Sequence, residues 1–231
     1  MSEKIDICTT AAIRPQLLDH TFNSFTKHML HDKSRYRLII NIDPIGEKLK
    51  RRGRELNIAK QYFDDVVFNF PETPGFTKAV QWCWSQTTAK YVLHLEDDWK
   101  LLQNINIDWM IEMLEQYKLT SLRLSKERIG KSKHSNKFGF IYWPKISLNP
   151  TLFKGNFVRQ VEPLMNMSQN PEKQLRPTNS ELGKIISKTQ HGVYTKEGTG
   201  MIVLDIGRQW MNKSRFKKKT GFLHWEVKPK I

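Results

Sequence analysis

Three adjacent acids, Glu96-Asp97-Asp98, close the run Tyr91-Val-Leu-His-Leu95 and stand directly before Trp99. Val92, Leu93 and Leu95 suit a strand buried on both faces. Carboxylates crowded at its end repel one another unless something positive sits among them. Ligands of α/β proteins bind at the carboxyl ends of strands. Strand alternation sets Glu96 and Asp98 on one side, a grip for a divalent cation and the oxygens it carries. The competing reading is a solvated acidic turn before a helix. The buried-type strand and the Trp that bracket the acids weigh against it.

The 231 residues carry 38 Lys and Arg against 23 Asp and Glu, a net charge of +15. Such an excess points to a polyanionic partner: nucleic acid, an anionic membrane surface or phosphorylated substrates. Hydrophobic content of 39% and charged content of 26% are ordinary for a soluble globular protein, and the length suits one α/β domain with ample core. No stretch reaches the apolar length that spans a bilayer, and Met-Ser-Glu-Lys is no signal peptide. Cys8 and Cys83 are too few for a disulfide framework or a zinc site. A reducing, cytoplasmic location is the expectation.

The elements that must position the acids alternate in type. Residues 4–10 read as a first strand, Arg14-Pro15 opens a helix, and Leu18, Phe22, Phe25 and Met29 mark its buried face. Strands follow at Tyr36 to Asp43 and Asp65 to Phe70, separated by the basic run Lys48 to Arg54. A helix is expected over Phe76 to Gln86, another over Trp109 to Tyr117, and a strand over Ser121 to Ser125. This alternation argues for a mostly parallel sheet with helices on both faces. No Gly-x-Gly-x-x-Gly follows the first strand and no Walker lysine motif occurs, which argues against dinucleotide and P-loop readings.

The second half changes character. Residues 126–150 are rich in Lys, Ser and Gly, with aromatics at Phe138, Phe140, Tyr142 and Trp143. Asn149-Pro150 breaks the chain before a helix expected over 152–161. Asn170-Pro171-Glu172 is a helix start: a capping Asn, Pro at the first helical position and an acid in the first turn. Met201 to Asp205 reads as a strand and Gly207-Arg208 as the start of a short helix. With no internal repeat and no long linker, one compact unit is expected.

The order of these parts resembles the GT-A fold glycosyltransferases of the family 2 type, in the small form found among phage and other viral enzymes. The resemblance rests on Thr9-Thr10 with Arg14-Pro15, Asn41-Ile-Asp43-Pro44, Gly75 with Lys78 and Ala79, and Leu95-Glu-Asp-Asp-Trp99. It continues through Ser147-Leu-Asn-Pro150, Asn170-Pro-Glu172, Asp205-Ile-Gly-Arg208 with Trp210, and His224-Trp225. It implies a metal-dependent, inverting transfer of a sugar from a nucleotide sugar, UDP-linked by preference, to a hydroxyl. Residues 1–125 would then form the nucleotide-sugar half and 126–231 the acceptor half.

By that similarity Thr9, Thr10, Arg14 and Asp43 line the nucleotide pocket, with Gly75 and Lys78 beside it. A helix cap at the threonines, a turn residue at Asp43 and a plainly exposed lysine are the competing readings. Asp98 would be the direct ligand of Mn2+ or Mg2+, Glu96 and Asp97 would touch ribose or bridge through water, and His224 would complete the metal site, a satisfied His beside a buried Trp225 being its competing reading. Arg208 and Lys217, Lys218 and Lys219 would clamp the diphosphate, against a plain surface cluster for the lysines. The family's base is a carboxylate at a helix start, usually written Glu-Asp; this chain has Pro171-Glu172. Glu172 is therefore the base candidate and Glu181 the fallback. A glutamate there also complements a helix dipole without any catalytic role.

The +15 charge and the lysines interleaved with aromatics over 131–145 fit a nucleic-acid acceptor. Enzymes of the resembled kind glycosylate hydroxymethylated pyrimidines in DNA, with Lys131, Lys133, Lys137 and the Lys217–Lys219 run as DNA contacts here. Two alternatives stand beside this: extension of a lipid-linked glycan at an anionic membrane, and a non-catalytic nucleic-acid-binding module of the same fold.

Overall fold

A computed structural model describes residues 3–47, 52–128, 138–196, 198, 200–213, 216–218 and 225–227. Its main sheet has eight strands in the order β3-β2-β1-β4-β8-β6-β9-β7. The strands are β1 (Ile5–Ile13), β2 (Tyr36–Gly46), β3 (Asp65–Asn69), β4 (Tyr91–His94), β6 (Ser121–Arg123), β7 (Phe140–Tyr142), β8 (Thr151–Lys154) and β9 (His191–Tyr194). Pairings β1–β2, β2–β3, β1–β4 and β6–β9 are parallel, while β8 runs antiparallel to both β4 and β6, and β7 to β9. The expected mostly parallel sheet is present, with a reversed strand near its middle. Two small ribbons join it: β5 (Trp99–Leu101) with β10 (Val203–Asp205), and β11 (Phe216–Lys218) with β12 (Trp225–Val227).

Alternation along the strands divides the core in two. Ile5 and Ile7 of β1 face a cluster with Leu18, Phe22 and Phe25 of α1 (Pro15–His28) and with Met110 and Leu114 of α4 (Ile107–Gln116). Cys8 of the same strand faces the other cluster, with Val80 and Trp84 of α3 (Phe76–Ser85) and Phe157 of α5 (Gly155–Val161). The remaining helices are α2 (Arg52–Tyr62), α6 (Pro171–Gln174), α7 (Glu181–Ile186) and α8 (Gly207–Lys213). No helix among the described residues is long and apolar enough to cross a membrane.

One expected element is corrected. The helix read over 152–161 begins only at Gly155, and Thr151–Lys154 is the strand β8. Leu152 and Phe153 bury into opposite core clusters, which adjacent residues do on a strand and not on one face of a helix. At the junction a Cβ on Gly155 would collide with the Ala89 carbonyl oxygen, so the change from strand to helix requires glycine. Strands β7 and β9 and helix α7 carry no long periodic pattern and were not expected. The strand expected over Met201 to Asp205 is shorter and pairs with β5, outside the main sheet.

Candidate active site

Strands β1, β2 and β3 follow one another outward, and the chain then crosses to place β4 on the other side of β1. The carboxyl ends of β1 and β4 therefore flank the point where the strand order reverses, which is where open α/β sheets bind ligands. A cleft of about 210 Å³ opens there. Thr10, Ala11 and Ala12 of β1, Asp43 of β2 and the acids Glu96, Asp97 and Asp98 line it from the first half. Lys126, Asn149, Asn170, Glu172 and Asp205 line it from the second.

The positive charge that the acids require is Arg14, the residue before α1. Its Nε donates to Asp97 Oδ2 at 3.1 Å, its Nη2 to Asp97 Oδ1, and the same Nη2 reaches Asp98 Oδ2 at 3.2 Å. The Ala12 N–H also donates to Asp97 Oδ2, at 3.1 Å. Arg14 and Asp97 are 5% and 1% exposed, so this is a buried, forked ion pair. Burial raises the Asp97 carboxyl, and the Arg14 guanidinium beside it pulls the other way. Despite its own burial, the Arg14 guanidinium is raised by Asp97 and Asp98. The indole of Trp210 lies against its other side, 5.3 Å from Cζ to ring centroid.

Asp97 thus fixes the turn, and Asp98 and Glu96 are held at the cleft by other contacts. The Asp98 carbonyl accepts from Ile206 N–H at 2.9 Å, and its carboxylate packs against the bare Cα of Gly207. Glu96 Oε2 accepts from Trp99 Nε1 at 3.3 Å. The β5–β10 register sets Asp205 opposite Trp99, which brings a further carboxylate to the cleft. Asp205 Oδ1 caps α8 through the N–H groups of Gly207 at 3.0 Å and Arg208 at 3.3 Å, and Oδ2 accepts from Arg208 Nε at 3.1 Å.

At the ends of β2 and β3 a polar relay runs toward α3. Asn69 Nδ2 donates to Asn41 Oδ1 at 2.7 Å, Asn41 Nδ2 to Asp43 Oδ1 at 2.8 Å, and Gly75 N to Asp43 Oδ2 at 3.0 Å. Asp43 therefore ties the start of α3 to the sheet while lining the cleft.

Glu172 sits in the first turn of α6, capped by Asn170, whose Oδ1 accepts from Glu172 N at 2.9 Å and Lys173 N at 3.3 Å. Glu172 Oε1 accepts from Leu148 N–H at 3.3 Å, which holds the carboxylate at the cleft. Arg123, at the end of β6, lies over the Trp143 ring at 5.0 Å and feels the charges of Glu127 and Glu172. Burial lowers its guanidinium from the ordinary value.

Of the residues singled out from the sequence, Thr10, Arg14, Asp43, Glu96, Asp97, Asp98 and Glu172 line one cleft. Thr9 does not; it is fully buried, and its hydroxyl has no hydrogen-bond partner among the described residues. Gly75 reaches the site through its bond to Asp43, whereas Lys78 is exposed and outside the lining. Arg208 is exposed and held by Asp205, and Glu181 is exposed at the start of α7, away from the lining. Lys217 and Lys218 lie on β11, where only the backbone is described. Lys131, Lys133, Lys137, Lys219 and His224 fall outside the described residues. Sequence reasoning missed Lys126, Asn149, Asn170 and Asp205 as cleft residues. The Asp205-Ile-Gly-Arg208 pattern marked only Arg208, and both asparagines read only as chain breakers or caps.

No group of three His, Cys, Asp or Glu side chains among the described residues is set to hold a metal ion by itself.

No family model matches the sequence, and no curated protein is significantly similar to it. Solved structures are similar in fold. S. aureus TarS has a TM-score of 0.57 at 11% identity, covering 87% of this chain and 36% of its own. TarS 1-349 in complex with UDP-GlcNAc has a TM-score of 0.57 at 11% identity, covering 84% and 57%. The mannosyltransferase PcManGT from Pyrobaculum calidifontis, in complex with GDP-Man and Mn2+, has a TM-score of 0.54 at 9% identity, covering 70% and 47%. The chain spans less than two thirds of each of these proteins. Across so little identity the likeness is one of fold: this chain has the mixed α/β architecture of the GT-A glycosyltransferases.

Proposed function

We propose that this chain is an inverting glycosyltransferase that moves a sugar from a nucleotide sugar, UDP-linked by preference, to a hydroxyl acceptor. The observation that carries the reading is that one cleft, at the reversal point of the sheet, is lined by both the acidic turn and Glu172. Residues 1–125 supply the donor side, with Thr10 and Asp43 beside the nucleoside and Arg208 within reach of the diphosphate. Residues 126–231 supply the acceptor side. Glu172 takes the proton of the acceptor hydroxyl as its oxygen attacks the anomeric carbon, and the nucleoside diphosphate leaves from the opposite face.

The donor set fits a divalent cation. Mg2+ and Mn2+ accept oxygen ligands, and such sites commonly take one or two carboxylates plus substrate phosphates. Asp98, assisted by Glu96 or Asp205, offers that set at the cleft, so three clustered protein ligands are not required. When bound, the cation neutralises charge developing on the leaving diphosphate. Arg14 is already committed to Asp97 and Asp98 and does not replace it.

For the acceptor, the +15 charge supports a nucleic acid, and 5-hydroxymethylpyrimidine in DNA supplies the hydroxyl. A base-borne hydroxyl reaches such a cleft from a groove or by base flipping. The test offers a mixture of nucleotide sugars and Mn2+ with unmodified and hydroxymethylated DNA, read by nucleoside mass spectrometry. A sugar added only to the hydroxymethylated DNA is expected. Sugar transfer to a small glycan with none to either DNA overturns the acceptor, and absence of UDP binding with Mn2+ overturns the donor.

A further inference from the structure

Asn149 is a buried polar residue at the cleft with an unspent donor. It is 5% exposed, and its side-chain nitrogen has no hydrogen-bond partner among the described residues. Buried amide donors are nearly always paired, and leaving one unpaired is costly, so each exception calls for a group that completes it. The neighbouring Asn170 makes the contrast: it lines the same cleft, but its oxygen is committed to capping α6.

The backbone of Asn149 is fixed on both sides. Its N–H donates to Ser147 Oγ at 3.2 Å, its carbonyl accepts from Thr151 Oγ1 at 2.6 Å, and Pro150 restricts the conformation before it. The carboxamide is therefore presented from a rigid element, the condition for a group that discriminates between ligands.

Its position says which part of a ligand it meets. In the antiparallel β4–β8 pair His94 lies opposite Thr151. Asn149 and Glu96 each stand two residues beyond that pair, and both line the cleft. On its other side, Leu148 holds the Glu172 carboxylate. Asn149 thus stands between the proposed diphosphate grip and the proposed base. In an inverting transfer the sugar ring is what spans those two points, because acceptor and leaving group approach its anomeric carbon from opposite faces. Sugar hydroxyls accept as well as donate hydrogen bonds, and an amide offers both complements.

We infer that Asn149 reads a hydroxyl of the donor's sugar and sets which sugar the cleft accepts. This rests on the transferase reading and adds to it a specificity-determining residue. A site built to hydrogen-bond a hydroxyl rejects analogues lacking it far more strongly than an apolar pocket rejects a missing methylene.

The test is calorimetric titration, with Mn2+ present, of wild type, Asn149→Ala and Asn149→Asp with UDP, UDP-glucose, UDP-galactose and UDP-N-acetylglucosamine. Deoxy analogues of whichever sugar nucleotide binds best complete the set. Asn149→Ala should bind UDP as wild type does, within twofold, whereas Asn149→Asp adds a carboxylate to an acidic cleft and is read through the ratio of its sugar-nucleotide to its UDP affinity. Binding of the preferred sugar nucleotide should weaken by about tenfold, the scale of one lost hydrogen bond. One deoxy analogue should be penalised in wild type but not further in Asn149→Ala. Asn149→Ala gives up no side-chain hydrogen bond among the described residues, so without ligand its stability should fall only by the packing of a small buried side chain. In Asn149→Ala, equal loss of UDP and sugar nucleotide, or no loss of either, overturns the inference alone. If wild type binds none of the four nucleotides, the transferase reading falls and this inference falls with it.

Discussion

The Asp98 carboxylate occupies space that only a glycine leaves open. A Cβ on Gly207 would stand 2.8 Å from Asp98 Cγ and 2.9 Å from its Cβ, closer than real contacts allow. The start of α8 and the acidic turn are thus fitted to each other, with the Ile206 N–H bonded to the Asp98 carbonyl.

Gly207→Ala should therefore displace the Asp98 carboxylate without emptying the core. Sub-ångström placement of catalytic groups is worth about a hundredfold in rate, and a loss of that order in sugar transfer is expected. The chain should remain folded by circular dichroism, while Mn2+-dependent UDP affinity falls. Asp98→Asn should produce the same loss without any steric push. Unchanged Mn2+-dependent binding in both variants would remove Asp98 from the cation site.

Glu172→Gln keeps the hydrogen bond from Leu148 N–H but removes the group that takes a proton. Turnover should fall by about two to four orders of magnitude, the usual contribution of a general base. UDP affinity should be preserved, because the acidic turn is untouched. Glu181→Gln, exposed on α7, should turn over as wild type does. The reverse pattern in steady-state kinetics would move the base to Glu181.

The buried Arg14–Asp97 pair, besides lining the cleft, makes a testable contribution to stability. Removing one partner of a buried ion pair strands the other, at a cost of about 3–5 kcal/mol. Asp97→Asn should show a loss of that order in urea denaturation, larger than for Asp98→Asn, whose carboxylate is partly exposed. Equal and small effects would mean that the buried pair contributes nothing particular.

Two buried groups give stability opposing dependences on pH. Glu55 on α2 is fully buried with no partner for either oxygen among the described residues, and burial raises its carboxyl from 4.5 to about 7. The folded state keeps a proton that the unfolded chain releases above 4.5, so this contribution, complete below 4.5, is lost as pH rises through 7. Burial lowers the His94 imidazole from 6.5 to about 3, so its contribution, complete above 6.5, is lost as pH falls toward 3. Glu55→Gln removes only the first. Its melting temperature relative to wild type should rise between pH 5 and pH 8, and parallel profiles across that range would show that Glu55 does not titrate there.

What the sequence revealed was what short-range signals carry. The acidic turn follows a recognisable strand, and Asn170-Pro171-Glu172 announces its own capped helix start, so both ends of the site were legible. The inward turn of Asp97 was not, because its partner Arg14 lies 83 residues away and only the β1–β4 pairing brings them together. Leu152 and Phe153 belong to opposite core clusters, yet in sequence they pass as the start of an amphipathic helix. Asn149 and Asp205 reach the cleft through strand pairing: Asn149 stands two residues before Thr151, which pairs with His94 of β4, and Asp205 of β10 lies opposite Trp99 of β5. Register is a property of paired strands, and neither residue carries a local mark of it.

The acceptor is tested through salt. The net charge is +15, and the lysines at 131, 133 and 137 fall in the run of 131–145 that alternates with aromatics. Of those aromatics Phe140 is core, whereas Phe138 and Tyr142 are 46% and 45% exposed. Each Lys or Arg that neutralises a DNA phosphate releases condensed counterion, so log affinity should fall linearly with log salt at roughly 0.9 per phosphate on duplex DNA. Lys131, Lys133 and Lys137 changed together to Ala should flatten that slope and raise the KM for DNA. Hydrolysis of the sugar nucleotide without acceptor should not change, since those lysines are assigned no donor contact. Binding to anionic vesicles is the comparison, because a membrane-docking role would make that the salt-dependent quantity. Negligible DNA binding at low salt, with the sugar still moving readily to a small glycan, would show that the positive charge serves something other than nucleic acid.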